Sequence, residues 1–154
     1  MIYSDATPEE VKQIAEEFPS QLVVLLYDEA IENLNIAIGA IEAGDIQARF
    51  MASEKVAEIL YELCIALDME NGGEIAENLA ALYKHGIVQM TEINFTNDAD
   101  IAQALMDVLE PLRDAWVMLD ERIRMDVDEA EAMMDPAFTS LIASQQAEFF
   151  TGVR

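Results

Sequence analysis

The sequence predicts an all-α protein, an antiparallel up-down four-helix bundle with a short N-terminal helix and an amphipathic C-terminal tail. At 154 residues, the chain has the size of one domain with its own hydrophobic core. It is 53% hydrophobic with only 6 Gly and 4 Pro, a composition that favours helices over strands. Apolar residues recur at helical spacing in four long segments joined by short polar turns. We therefore expect a short helix in residues 1–18, the bundle in 19–125 and an acidic, amphipathic extension in 126–154.

The first predicted helix is short and precedes the bundle. Thr7-Pro8-Glu9-Glu10 is a capping box with proline at the first helical position. Val11, Ile14 and Phe18 follow at helical spacing, and Pro19 ends the helix.

The first bundle helix is predicted from Gln21 to Ala43, with Ser20 as its N-cap. Gly44 ends this helix, because glycine readily adopts the left-handed conformation that follows a helix. Asp45 then caps the next helix. The residues predicted to form its buried face share one apolar stripe: Val23, Leu26, Tyr27, Ala30, Leu34, Ala37, Ile38 and Ile41.

The second helix is predicted from Asp45 to Leu67 and the third from Glu74 to Asn94, with a turn at Asn71-Gly72-Gly73 between them. The apolar stripe of the second helix contains Ile46, Phe50, Val56, Ala57, Leu60, Leu63, Cys64 and Leu67. The stripe of the third helix contains Ile75, Leu79, Leu82, Tyr83, Gly86, Met90 and Ile93.

The fourth helix begins after Thr96-Asn97-Asp98. These residues end the third helix and cap the fourth. Pro111 is expected to kink this helix or to loosen one of its turns. Its apolar stripe is the most regular of the four: Ile101, Leu105, Val108, Leu109, Leu112, Trp116, Leu119 and Ile123.

A last amphipathic segment follows an acidic stretch and Pro136. Its apolar side contains Phe138, Leu141, Ile142 and Phe149. We expect this tail to fold back onto the bundle as a helix and to occlude the partner-binding groove until a partner displaces it.

The charge of the chain excludes several classes of partner. The sequence has 31 Asp and Glu against 8 Lys and Arg, a net charge of -23, which repels nucleic acid and anionic membrane surfaces. Its longest apolar run, Leu22 to Tyr27, is far shorter than the roughly 20 residues of a membrane-spanning helix. Cys64 has no second cysteine to pair with, and the N-terminus lacks a signal-peptide pattern, so we expect a cytoplasmic protein.

Residues for catalysis or for holding a metal or cofactor are not apparent. A carboxylate-bridged metal site in a helical bundle needs Glu-x-x-His pairs, whereas the single histidine, His85, has Leu82 three residues before it. Cys64 lies on an apolar stripe without a basic neighbour that would activate the thiol. We therefore expect no catalytic residues, no metal, no cofactor and no enzymatic activity.

The first bundle helix has more apolar residues than one buried face requires. Leu22, Val24, Leu25, Ile31 and Ile36 lie outside its main stripe. Either this helix is buried on several sides, or the surplus residues form a groove for an amphipathic helix of a partner. The 9 Met residues would suit an adaptable contact surface, although core packing explains most of them equally well.

The sequence resembles the flagellin export chaperone family, FliS, over residues 19 to 120. The matching residues occur in the family's order along the chain: Pro19, Leu22-Val23, Leu26-Tyr27-Asp28, Ala30-Ile31, Ala40-Ile41-Glu42, Asp45, Leu67-Asp68, Asn71-Gly72-Gly73-Glu74-Ile75-Ala76, Asn78-Leu79, Leu82-Tyr83, Glu92, Asn94, Asp98 and Leu112-Arg113-Asp114-Ala115-Trp116.

This resemblance implies a cytosolic chaperone with a four-helix bundle fold. Such proteins bind the disordered C-terminal segment of flagellin, prevent its premature polymerisation and present it to the flagellar type III export machinery. The export gate or a regulatory protein is a further expected partner, while the oligomeric state stays open. The residues expected to contact the partner are Leu22, Leu25, Tyr27, Asp28, Ile31, Tyr83, Ile87 and Asn94.

The chain departs from the family pattern beside the expected groove. Glu29 replaces a residue that is usually small, and Glu32 stands close to a position that is usually basic. Two alternative functions follow from the sequence: a flagellar regulatory protein that uses the same groove, and an acidic mimic of nucleic acid. The second would require carboxylates at phosphate-like spacing on one face.

Overall fold

The computed structural model describes residues 7–9 and 19–133. Four helices account for most of the described residues: α1 Pro19–Ala43, α2 Ile46–Ile65, α3 Gly73–Thr96 and α4 Ala99–Met133. This architecture confirms the predicted all-α fold. The α4 helix continues past residue 125, where the sequence analysis placed the end of the bundle.

Two predicted features lie largely or wholly outside the described residues. Of the short N-terminal helix, only Pro8 and Glu9 are described, and both are helical. The tail residues Phe138, Leu141, Ile142 and Phe149 all lie beyond the described part of the chain, so the predicted occlusion of the groove stays a prediction.

The α1 and α4 helices run antiparallel, and two polar contacts join them. Ser20 at the start of α1 donates a hydrogen bond of 2.5 Å to Asp120 near the end of α4. Eight residues further along α1, Asp28 pairs with Arg113, seven residues earlier in α4. Since each helix also packs against the one that follows it, the four helices form an up-down bundle.

The turns between the helices follow the predicted capping residues. Gly44 has a φ of +73°, and the side chain of Asp45 accepts a hydrogen bond of 3.0 Å from the backbone N–H of Ala48. At the end of α3, Asn97 adopts the left-handed conformation with a φ of 52°, and its N–H donates to the carbonyl of Ile93 at 2.9 Å. Both helix ends are thus specified locally by the sequence.

The hydrophobic core lies along the axis of the bundle and receives side chains from all four helices. Its largest fully buried apolar and aromatic side chains are Tyr27, Leu34, Val56, Leu60, Leu63, Tyr83, Met90, Ile93 and Leu109. A Cβ placed on Gly86 would lie 2.7 Å from Cδ1 of Leu60 and 3.4 Å from Cδ1 of Leu105. Gly86 therefore allows α3 to approach α2 and α4 closely.

Several residues predicted to be buried are exposed instead. The exposed members of the predicted stripes are Ile46 with 68%, Phe50 with 49%, Ile75 with 73% and Val108 with 44% of their surface accessible. These core predictions are wrong because helical spacing fixes the direction of a side chain but not the position of the neighbouring helix. None of the described helices is long and apolar enough to span a membrane.

Candidate partner-binding site

A groove with a largely apolar lining lies on the surface between α2 and α3. It has a volume of about 250 Å³. The residues lining this α2–α3 groove are Phe50, Ser53, Glu54, Ala57, Met90, Thr91, Asn94 and Phe95. Phe95 is 85% exposed and Phe50 is 49% exposed, so two aromatic rings border the groove in contact with water.

Arg49 joins α2 and α3 at the end of the groove where Phe50 and Phe95 lie. Its Nε donates to Oδ1 of Asn94 at 3.3 Å, and its Nη2 donates to the carbonyl of Asn94 at 3.3 Å. Its Nη1 donates to Oδ1 of Asn97 at 2.8 Å. Because a helix C-terminus has a partial negative charge and α3 has no basic residue in its last turn, Arg49 supplies the complementary charge from α2.

The predicted site residue Asn94 lies in the groove, and its side chain is held from several directions. Besides Arg49, Ser53 donates to Oδ1 of Asn94 at 3.2 Å. Nδ2 of Asn94 donates to the carbonyl of Met90 at 3.3 Å. The amide is thus oriented by its own protein, which makes it a fixed part of the groove wall.

A second, more open depression lies on α1. This α1 hollow has a volume of about 550 Å³ and is lined by Asp28, Ile31, Glu32, Asn35 and Ile36. Two predicted site residues, Asp28 and Ile31, therefore share one surface.

The carboxylate of Asp28 is engaged by α4. Arg113 approaches it with two nitrogens, Nε at 2.6 Å from Oδ1 and Nη2 at 3.3 Å from Oδ2. Hydrogen bonding to Asp28 raises the pKa of the Arg113 guanidinium. The pair fixes α4 against α1 beside the α1 hollow.

Two other predicted site residues, Tyr27 and Tyr83, meet inside the bundle. They are 0% and 1% exposed, and their hydroxyls lie 2.7 Å apart. The rings are arranged edge to face, with centroids 6.4 Å apart. Burial raises the pKa of both phenols. This pair connects α1 and α3 across the core and does not reach the surface.

The remaining predicted site residues have intermediate positions. Leu25 is only 6% exposed, whereas Leu22 and Ile87 are half-buried and pack against the core. Of the surplus apolar residues on the first helix, Leu25 is buried, whereas Ile36 is 48% exposed; their role as a groove for a partner helix stays a prediction.

The aromatic border of the α2–α3 groove was missed by the sequence analysis. Phe50 was assigned to the core, and Phe95 was not assigned a role. A signal for Phe95 was available, because an aromatic residue beside Thr96 and Asn97 falls at the end of a helix, outside its apolar stripe.

No group of three or more potential metal ligands occurs among the described residues. Cys64 is half-buried as a free thiol, and His85 is exposed.

Comparison with known proteins gives consistent matches over the bundle. Residues 3–123 match the family model described as flagellar protein FliS. The flagellar secretion chaperone FliS of Salmonella typhimurium is 36% identical over 99 residues, which cover 64% of this chain and 73% of that protein. FliS of Vibrio cholerae is 31% identical over 104 residues, covering 68% and 76%. The flagellar secretion chaperone FliSB of Pseudomonas aeruginosa is 33% identical over 104 residues, covering 68% and 82%.

Proposed function

This chain belongs to the FliS family of flagellar proteins, and on that premise we propose that it is a cytoplasmic export chaperone of flagellin. In this proposal it binds the disordered C-terminal segment of newly made flagellin and prevents premature polymerisation. It then supports delivery of flagellin to the flagellar type III secretion machinery. It acts by binding and not by catalysis.

The observation that supports this function best is the α2–α3 groove with its exposed aromatic border. Phe50 and Phe95 lie on opposite helices at one end of the groove, where an amphipathic segment could cover both. Burying a large apolar side chain is worth about 1.5–3 kcal/mol. Several such contacts offset the conformational entropy that a disordered segment loses on binding.

The bundle presents this groove in a preformed shape. Arg49 fixes the start of α2 to the end of α3. The buried hydroxyl pair of Tyr27 and Tyr83 joins α1 to α3. Since a prearranged surface loses little freedom on binding, most of the ordering cost falls on the partner segment.

The predicted site residues enter this proposal in two roles. Ile31 and Asp28 border the α1 hollow, which we assign as a further contact for a segment that wraps around the bundle. Tyr27 and Tyr83 act from the core by holding the helices in place. Leu22 and Ile87 pack against the core and Leu25 is buried, while Asn94 lines the α2–α3 groove.

Isothermal titration calorimetry with the full chain and the C-terminal segment of flagellin from the same organism tests the function. We expect binding at micromolar concentration or tighter, and Phe95→Asp should weaken it at least tenfold by placing a charge against the apolar face of the partner.

The matched control for this substitution is Ile75→Asp. Ile75 is also highly exposed on α3, but it lies in the first turn and does not line the groove. Equal binding by the unmodified chain and both variants would reject the groove, and absence of binding by the unmodified chain would reject the proposed function.

A further inference from the structure

Two charged residues of opposite sign lie on the helix faces that form the α2–α3 groove, Glu54 in its lining and Lys84 beyond it. Glu54 lines it from α2 and is exposed. Lys84 is exposed on α3 seven residues before Thr91, which also lines the groove, so the two residues share a helix face. Neither Glu54 nor Lys84 forms an ion pair among the residues that the structure describes. Both side chains are exposed in the part of the chain that the structure describes.

The two charges lie at different heights along the bundle. Close packing of Gly86 against Leu60 places these two residues at the same height along the bundle. Glu54 is six residues before Leu60 in α2, and Lys84 is two residues before Gly86 in the antiparallel α3. At about 1.5 Å per residue, Glu54 and Lys84 are separated by about 12 Å along the groove axis.

Apolar side chains occupy the surface between and around these charges. Tyr61 on α2 is 60% exposed and Val88 on α3 is 62% exposed, in addition to Phe50 and Phe95 at the end nearer Glu54. A helical segment that follows the groove and continues along the same faces of α2 and α3 would contact apolar residues and meet one charge of each sign.

We propose that the α2–α3 groove binds its partner helix in a single direction, with a basic residue beside Glu54 and an acidic residue beside Lys84. This inference rests on the proposed function and specifies the helix that the groove accepts from the flagellin segment. The two charged residues of that helix are about two turns apart, or 7 to 8 residues. In the reversed direction each charge would meet its own sign, which disfavours that orientation.

The charges of Glu54 and Lys84 are expected to affect the direction and the specificity of the bound helix more than its total affinity. Exposed ion pairs contribute little, so the apolar contacts supply most of the binding. Reversing one of the two charges replaces an attraction by a repulsion, and we expect this change to weaken binding about threefold to tenfold.

The experiment compares the full chain with Glu54→Lys, Lys84→Glu and the double variant by calorimetry at low salt. The probes are the synthetic C-terminal segment of the flagellin from the same organism and a version in which the acidic and basic residues of its amphipathic helix are exchanged. Each single substitution should weaken binding of the natural segment. The double variant should prefer the exchanged segment over the natural one.

Two variants control for the change in net charge alone. Glu62→Lys and Lys55→Glu make the same charge changes at exposed positions of α2 that neither line the groove nor stand three, four or seven residues from a residue that lines it. They should leave the affinity within twofold of that of the unmodified chain. If the natural segment binds all variants equally, the proposed direction of the bound helix is wrong and the proposed function stands. If the unmodified chain binds neither segment, both proposals are overturned.

Discussion

At the scale of single residues, the side chain of Glu29 places a polar atom where it is buried in the bundle. Its Oε2 is buried and accepts no hydrogen bond from the residues that the structure describes. A small side chain at this position would leave no carboxylate to bury. A buried acceptor without a partner loses hydration and gains nothing in exchange.

Replacing Glu29 by alanine should therefore stabilise the protein. We expect the free energy of unfolding to rise by about 1 kcal/mol, because the substitution removes an unsatisfied oxygen. Urea denaturation followed by circular dichroism measures the change. Glu32→Ala, at an exposed position three residues along the same helix, controls for helix propensity. An equal effect of both substitutions would show that burial of Glu29 has no energetic consequence.

At the scale of helices, Arg49 makes three of the side-chain hydrogen bonds between the start of α2 and the end of α3, beside the one from Ser53 to Asn94. Its bonds to Asn94 and Asn97 bring Phe50 and Phe95 to the same end of the groove. A lysine cannot reproduce this set of bonds, because it lacks the planar guanidinium group whose nitrogens donate them.

Arg49→Ala should loosen this end of the groove. We expect a loss of about 1 kcal/mol in the free energy of unfolding and a weaker affinity for the flagellin segment. Arg49→Lys should retain only part of the stability and of the affinity, because it keeps the positive charge but lacks the guanidinium group. Calorimetry and denaturation on the same samples separate the two effects. Full recovery by lysine would indicate that only the positive charge matters.

The capping signals and apolar stripes predicted the four helices and their turns closely, because both depend on residues adjacent in sequence. The surface of the bundle was predicted less well. Phe50 was assigned to the core, yet it borders the groove. Tyr27 was assigned both to the buried face of the first helix and to a partner contact, and the structure buries it fully. Which side of a helix meets a neighbour depends on helices that are distant in the sequence.

At the scale of the whole molecule, the buried tyrosine pair couples stability to alkaline pH. Burial raises the pKa of Tyr27 and Tyr83 above the ordinary value of 10.0. Below pH 10 both phenols are protonated in the folded and unfolded chain, and the contribution to stability is complete. Above pH 10 they ionise in the unfolded chain first, which favours unfolding.

The free energy of unfolding should thus be lost as the pH rises above about 10, by up to about 1.4 kcal/mol per pH unit for each tyrosine. Chemical denaturation between pH 8 and 11 measures this slope. The double variant Tyr27→Phe/Tyr83→Phe should have a shallower slope, whereas Tyr61→Phe, at an exposed tyrosine, should not change it. A slope that is the same in all three proteins would contradict the assignment to the buried pair.

The sequence by itself determined the all-α fold, the positions of the turns and the absence of an evident catalytic constellation. These properties depend on helical periodicity, capping residues and residue chemistry, all of which are local. Only the tertiary structure decided that Tyr27 and Tyr83 pair in the core and that Phe50 and Phe95 border a groove. The physical reason is that burial depends on which helices pack together, and the contacts of Arg49, Asp28 and Gly86 that set this packing join residues far apart in the chain.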